Sequence, residues 1–294
     1  MIIKCPICDI EYYKVLYKSN LDYNENEKDK VKQFVYASGS KKLGRIVKCE
    51  KCGLIYVNPQ EENIEKLYEK TEDENYEKSK ESRAITFKRD IEYIEKFEKR
   101  GKILDMGCSS GIFLEVAKNN GWDIYGTELS EWGYKKAKKI TPNIFNKKLG
   151  DCNIKNDFFD VVTMWDLIEH LTNPNEELER VYKILKKNGL LVLSTPNIGS
   201  CFSKIMGIKW LNIIRMHIFY FDKKTIKKIL EKNGFKVIKI KSYPRTIILK
   251  YAIEWLKPYK RIYKTMEFIK NSKIGELKIT VNFMDSMIVF ARKI

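Results

Sequence analysis

The rhythm of apolar and polar positions changes near residue 101. From Lys102 onward, short apolar runs alternate with amphipathic stretches of helical period. Ile103–Met106 reads as a buried strand ending at Gly107, and Ile112–Asn120 as a helix closed by Gly121. A second strand spans Asp123–Glu128, and Ser130 caps a helix running to Lys139. Asn143–Asn146 and Phe158–Met164 read as the third and fourth strands. Asn175–Lys187 is an amphipathic helix stopped by Asn188-Gly189, and Leu190–Ser194 is a fifth strand. This alternation predicts an α/β doubly wound sheet of parallel strands. Beyond it come a helix over Lys223–Asn233, a strand over Phe235–Ile240, a basic helical region over 244–272 and a last strand over Met287–Ala291.

Upstream the texture differs. Leu54–Val57 is a short strand stopped by Asn58-Pro59. Residues 61–100 are rich in Glu and Lys, with Ile64, Leu67, Ile91, Ile94 and Phe97 at helical spacing. They read as a helical linker with a solvated face, and the very polar 70–82 as a mobile loop. The expected organisation is three-part: 1–60, 61–100 and 101–294.

Composition narrows the class. At 294 residues and 44% hydrophobic positions the chain can fill a sizeable core, which excludes global disorder. It holds no uncharged apolar run of about 18 residues, so no spanning helix is expected. Met1-Ile-Ile-Lys reaches charge too early for a signal-peptide hydrophobic region, which predicts a cytoplasmic protein. Of the net charge of +17, +16 falls in residues 199–294, whereas 101–198 is neutral. An anionic partner is expected for the last third.

Four of the seven cysteines form two pairs, Cys5-Pro-Ile-Cys8 and Cys49-Glu-Lys-Cys52. In a cytosolic chain such pairs read as metal ligands before disulfides, and four thiolates suit a structural zinc. Gly53 relaxes the turn after the second pair, and a hairpin or loop must fill 9–48. Residues 1–60 are thus expected to be a zinc ribbon with no open catalytic position.

The densest chemistry lies in Asp105-Met-Gly107-Cys108-Ser109-Ser110-Gly111, followed by Glu128. Glycines at a strand-to-helix turn let backbone approach a ligand, and an acidic residue about 20 positions on can accept ribose hydroxyls. Asp105 would repel a pyrophosphate at the helix N-terminus. It would welcome a cofactor carrying an ammonium and a sulfonium, and that cofactor is S-adenosylmethionine (SAM).

With these residues in place, the chain resembles the class I SAM-dependent methyltransferases. It looks most like the group that includes ubiquinone-biosynthesis O-methyltransferases and methyltransferases of sugars and polysaccharides. The ribbon with Cys52-Gly-Leu-Ile-Tyr-Val-Asn-Pro59 is similar to members with an N-terminal zinc-binding segment. Phe159–Leu171 resembles their fourth strand and catalytic loop, Asn188–Asn197 their fifth strand, and His217–Asp222 the segment leading into the next helix. Ser109 departs from the pattern, where many relatives carry glycine. The resemblance implies a Rossmann-like fold with a helical cap, in which Asp105, Gly107, Cys108, Ser109 and Gly111 line the methionine end. It also implies Glu128 at the ribose, Asp151 near the adenine amino group and Trp165 over the cofactor.

An activated sulfonium leaves the protein to supply alignment, a dry cavity and a proton acceptor. With two histidines in the chain, His170 after the fourth strand is the first candidate, and His217 a weaker one. Asp166, Glu169 and His170 fall near one helical turn. By resemblance to the ubiquinone-type enzymes, such a cluster binds a divalent ion such as magnesium, which would lower the pKa of a hydroxyl acceptor. The alternative is that Glu169 and His170 only cap and orient the loop.

Tyr251, Trp255, Tyr259 and Tyr263 recur every fourth residue, with Lys250, Lys257, Lys260, Arg261 and Lys264 between them and Pro258 dividing the helix. This suits anionic lipid head groups or a phosphate-bearing or glycan acceptor, and equally a cap with its stripe turned inward. The sequence thus predicts methyl transfer, at oxygen, to a small-molecule, sugar/glycan or phenolic acceptor by a cytoplasmic enzyme, with contact at the membrane periphery. Two alternatives stay open: an RNA methyltransferase with a zinc-ribbon RNA contact, and a non-catalytic SAM-binding module. Against RNA stand a catalytic loop without the Asn-Pro-Pro-aromatic signature and a neutral cofactor region.

Overall fold

The computed structural model describes residues 1–21, 42–254 and 260–294. At its centre is a seven-stranded sheet of order β10-β13-β8-β7-β4-β5-β6. Its parallel half is β4 (Lys102–Met106), β5 (Asp123–Thr127), β6 (Ile144–Phe145), β7 (Phe159–Trp165) and β8 (Leu185–Pro196). β10 (Phe235–Ser242) and β13 (Ser286–Lys293) extend it antiparallel, so the sheet is mixed rather than wholly parallel. β8 is buried from Gly189 to Pro196 because both of its faces are covered, which is why it reads as one continuous apolar run.

From β4 the chain winds outward through β5 and β6, then returns on the other side of β4 through β7 and β8. The loops leaving β4 and β7 therefore part at one point of the sheet. That is where an open α/β sheet offers a crevice to ligands.

The cysteine-bearing segment forms a second sheet, β1 (Tyr13–Tyr17), β2 (Ile46–Cys49), β3 (Ile55–Val57) and β9 (Phe219–Tyr220). β9 comes from the far side of the sequence and pairs Ile55 with Tyr220 and Tyr56 with Phe219. Leu54, Tyr56 and Val47 share one core with Phe219, Phe221 and Leu178. The ribbon is thus built into the α/β domain.

Three expected elements differ. The stretch 70–82 holds the helix Glu74–Lys78, capped by Asp73 Oδ1 accepting from Tyr76 N at 2.8 Å, and the start of a helix over Lys80–Ile94. Buried Phe87, Ile91 and Ile94 anchor that longer helix on the sheet, which outweighs the polarity of its first turn. The helix after β7 ends at Ile184 rather than Lys187, because residues 185–189 already enter β8 through an irregular register opposite Phe159. The basic region 244–272 opens as a strand, β11 (Arg245–Ile248), paired with β12 (Lys278–Val281), before the helices Leu249–Glu254 and Lys260–Lys270. Half of the expected loop between the cysteine pairs (22–41), together with Trp255, Lys257, Pro258 and Tyr259, lies outside the described residues.

Candidate active site

The loop after β4 turns on three left-handed residues, Gly107 (φ 66°), Ser109 (φ 48°) and Gly111 (φ 83°). Gly111 needs its missing side chain, since a Cβ would meet Ile140 Cδ1 at 2.6 Å. Ser109 is a non-glycine residue in strained backbone, held there by its N–H donating to Glu128 Oε2 at 2.7 Å. Glu128 Oε1 accepts from Ser130 N at 2.7 Å, so each of its oxygens is aimed by a backbone donor. Burial raises the Glu128 pKa, and these backbone hydrogen bonds oppose it. Asp105 lies beside this loop, buried, with Thr163 Oγ1 donating to its Oδ1 at 2.7 Å. Burial pushes its carboxyl well above the usual range.

These groups open on one cavity of about 1300 Å³. Asp105, Gly107, Ser109, Glu128, Asp151 and Trp165 line it. Gly111 and Cys108, also expected at the cofactor, are buried and do not line it; Cys108 Sγ stands 2.9 Å from where a Cβ on Gly126 would lie. Asp151 ends a short 3-10 turn, Leu149–Asp151. A Cβ at the neighbouring Gly150 would overlap the Arg180 guanidinium, so glycine permits that close approach. Trp165 packs among Phe87, Phe113 and Tyr243, with the Tyr243 ring stacked at 6.1 Å. A volume above the several hundred Å³ of common small-molecule pockets leaves room for a nucleoside cofactor and an acceptor together.

The loop after β7 separates the residues expected to act as one cluster. Asp166 (φ 50°) turns to the cap, accepting from Arg245 Nη2 at 2.6 Å and Ser194 Oγ at 2.9 Å. Burial raises its pKa, but the charge and hydrogen bonds of Arg245 outweigh that and lower it. Glu169 and His170 are joined instead by His217, with ligand atoms of all three within 4.8 Å of one another. Glu169 is buried without a well-formed hydrogen bond to either carboxylate oxygen, and burial with the nearby Asp166 charge pushes it up to about 8. Burial lowers His170 to about 4, against the pull of the Met216 carbonyl, and lowers His217 to about 3. Both imidazoles are therefore neutral near pH 7. His170 Nδ1 stands 2.7 Å from the Tyr68 hydroxyl and 3.0 Å from Met216 O, and His217 Nδ1 stands 2.8 Å from Asn212 O.

Four lining residues had no signal in the sequence reading. Tyr68 and Tyr76 come from the helices before β4, and Tyr243 donates to Asp90 Oδ2 at 2.7 Å. Arg83 lies 4.1 Å over the Tyr76 ring and donates from Nε to Ser79 Oγ at 2.8 Å, with no ion pair to a carboxylate among the described residues. Each is more than 20 residues from the glycine loop, so only folding brings it there.

A family model described as a methyltransferase domain matches residues 79–240, more than half of the chain. The chain belongs to the methyltransferase domain family. Its fold is that of the class I SAM-dependent members. A SAM-dependent methyltransferase of Archaeoglobus fulgidus aligns with TM-score 0.51 over 72% of this chain and 95% of its own, at 23% identity. One of Thermotoga maritima aligns with TM-score 0.50 over 75% and 94%, at 16% identity. In sequence, the chain is 28% identical over 109 residues to the ubiquinone biosynthesis O-methyltransferase of Glaesserella parasuis, covering 33% of this chain and 45% of that protein. The chain spans less than half the length of such curated relatives.

The cysteine site lies apart from this cavity. Cys5, Cys8, Cys49 and Cys52 bring their sulfurs within 4.8 Å of one another. The two loops repeat one hydrogen-bond pattern: Asp9 N to Cys5 O (2.8 Å) and Cys5 N to Ile10 O (2.9 Å) match Gly53 N to Cys49 O (2.9 Å) and Cys49 N to Leu54 O (2.8 Å). Asp9 and Gly53 take the left-handed conformation at equivalent places. Burial and then the neighbouring Cys52 push the Cys8 thiol up to about 11 when all four are thiols. Four converging sulfurs in paired turns fit a tetrahedral zinc.

Proposed function

We propose that the protein transfers a methyl group from SAM to an oxygen of a small-molecule acceptor, a sugar, glycan or phenol. What carries this reading is the continuity of one cavity. Gly107, Ser109 and Glu128 line it together with Tyr68, His170 and Arg245, which supports one space taking both donor and acceptor.

When bound, SAM supplies a methyl group on a sulfonium, already activated for one in-line displacement. Asp105 and the glycine loop would hold its methionine end, and Arg83, which lines the same cavity, would be the partner for the carboxylate. Glu128, aimed by two backbone donors, keeps lone pairs for the ribose hydroxyls. The Trp165 and Tyr243 rings exclude water from the reacting centre. His170, kept neutral by burial, takes the proton that the acceptor hydroxyl gives up. The alternative role for His170 is as a ligand: with Glu169 and His217 it would hold a divalent ion, which would take its lone pair and supply Lewis-acid activation of the acceptor in place of that proton transfer. Cys5, Cys8, Cys49 and Cys52 would hold a zinc that fixes the ribbon and supplies no chemistry.

The test is release of S-adenosylhomocysteine from SAM with a panel of hydroxylated sugars and phenols, and with RNA as a comparison. Turnover on a small hydroxylated acceptor, lost in His170→Ala with SAM binding kept, supports the reading. Turnover on RNA alone overturns it.

A further inference from the structure

The helix Lys260–Lys270 packs on Leu249–Glu254 yet buries none of its own residues. Its inner side serves the cavity. Lys270 lines the wall with Lys250, Tyr251 and Glu254, pairs with Glu254, and donates to the Tyr263 hydroxyl at 3.2 Å. Its outer side is left uncovered by the described residues. Arg261, Lys264 and Phe268 follow at spacings of three and four and share that side, with Phe268 80% exposed. The turn Lys273–Glu276 packs against the helix end, where a Cβ at Gly275 would meet Ile269 O at 2.9 Å. It and the next residue add Ile274 and Leu277, half exposed like Ile262.

The charge on this surface is one-signed. Residues 260–278 carry six Lys or Arg against Glu267 and Glu276. Lys260, Arg261, Lys264 and Lys273 make no ion pair among the described residues. Single exposed apolar residues need no explanation, but an aromatic and three aliphatics in one short segment with four cations that make no ion pair among the described residues give a surface both apolar and basic. Nucleic acid would use the cations and leave the aliphatic tips in water. An anionic bilayer uses both, with the tips at the acyl boundary and the cations among head groups.

We propose that the outer face of 260–277 docks on an anionic membrane surface and presents the cavity to an acceptor carried in that membrane. The acceptor clause rests on the function proposed above, while the docking clause stands on the surface alone.

The full chain is tested by flotation with phosphatidylcholine vesicles, with and without phosphatidylglycerol. Binding is expected with the anionic lipid only and should weaken at about 0.5 M salt, where the screening length is roughly 4 Å. Lys260→Gln/Arg261→Gln/Lys264→Gln and, separately, Phe268→Asp should each weaken it by about tenfold, with SAM affinity unchanged as the check on folding. Equal binding to neutral vesicles, or both variants binding like the wild type, overturns the docking. Capture of RNA unaffected by Phe268→Asp, without vesicle binding, overturns it in favour of nucleic acid. Vesicle binding by a chain that binds no SAM would keep the docking and overturn the acceptor clause.

Discussion

Arg245 Nη2 stands 2.6 Å from Asp166 Oδ1, tying the first strand of the cap to the loop that leaves β7. Both side chains line the cavity and are about a third exposed to it, so the pair is only partly removed from water. Asp166 sits in a left-handed conformation that its partners must hold. Arg245→Met is expected to lower stability by about 1–2 kcal/mol, because a part-buried carboxylate loses its counter-ion. Adding Asp166→Asn should restore part of that loss. Urea unfolding of the two single variants and the double gives the coupling, and strict additivity would mean that the pair does not hold the cap.

A second prediction concerns pH. Asp90 is buried, takes a hydrogen bond from Tyr243, and burial raises its carboxyl to about 7, against the pull of Tyr243, Arg89 and Arg245 and with the help of the Asp166 charge. An acid raised in the folded state binds a proton that the unfolded chain has lost. Its stabilising effect is full below the unfolded pKa near 4 and is lost as pH rises through 7. Between about pH 5.5 and 8 the wild type should lose on the order of 2 kcal/mol relative to Asp90→Asn. Thermal melts of both proteins across that window check the sign; parallel curves would contradict it.

The ribbon gives a third. Because β3 pairs with β9 and shares its core, loss of metal should be felt beyond the first 60 residues. One equivalent of zinc is expected to survive dialysis, and Cys5→Ser or Cys49→Ser should lose it together with melting temperature of the whole domain. Elemental analysis and calorimetry settle this, and full stability without metal would refute a structural role.

How much of this was readable in advance depended on distance along the chain. The cysteine pairs, the glycine turn and Glu128 are local patterns whose chemistry is carried by residue type, and the parallel strands announce themselves as apolar runs. The closing strand Phe219–Tyr220 is two residues long, too short for any periodic signal, and its partner lies more than 160 residues away. His170 meets Tyr68 across 102 residues, and Asp166 meets Arg245 across 79. Helical spacing suggested Asp166, Glu169 and His170 as one cluster. A left-handed turn at Asp166 sends its carboxylate to the cap, and His217 takes the third place.

All of the proposed chemistry requires that the loop after β4 and Glu128 bind SAM. Titration calorimetry with SAM measures this binding. One-site binding is expected for the wild type, with Glu128→Ala weaker by about 1–3 kcal/mol as the ribose hydrogen bonds are lost. Binding of NADH in place of SAM, or SAM affinity unchanged by Glu128→Ala, would contradict it.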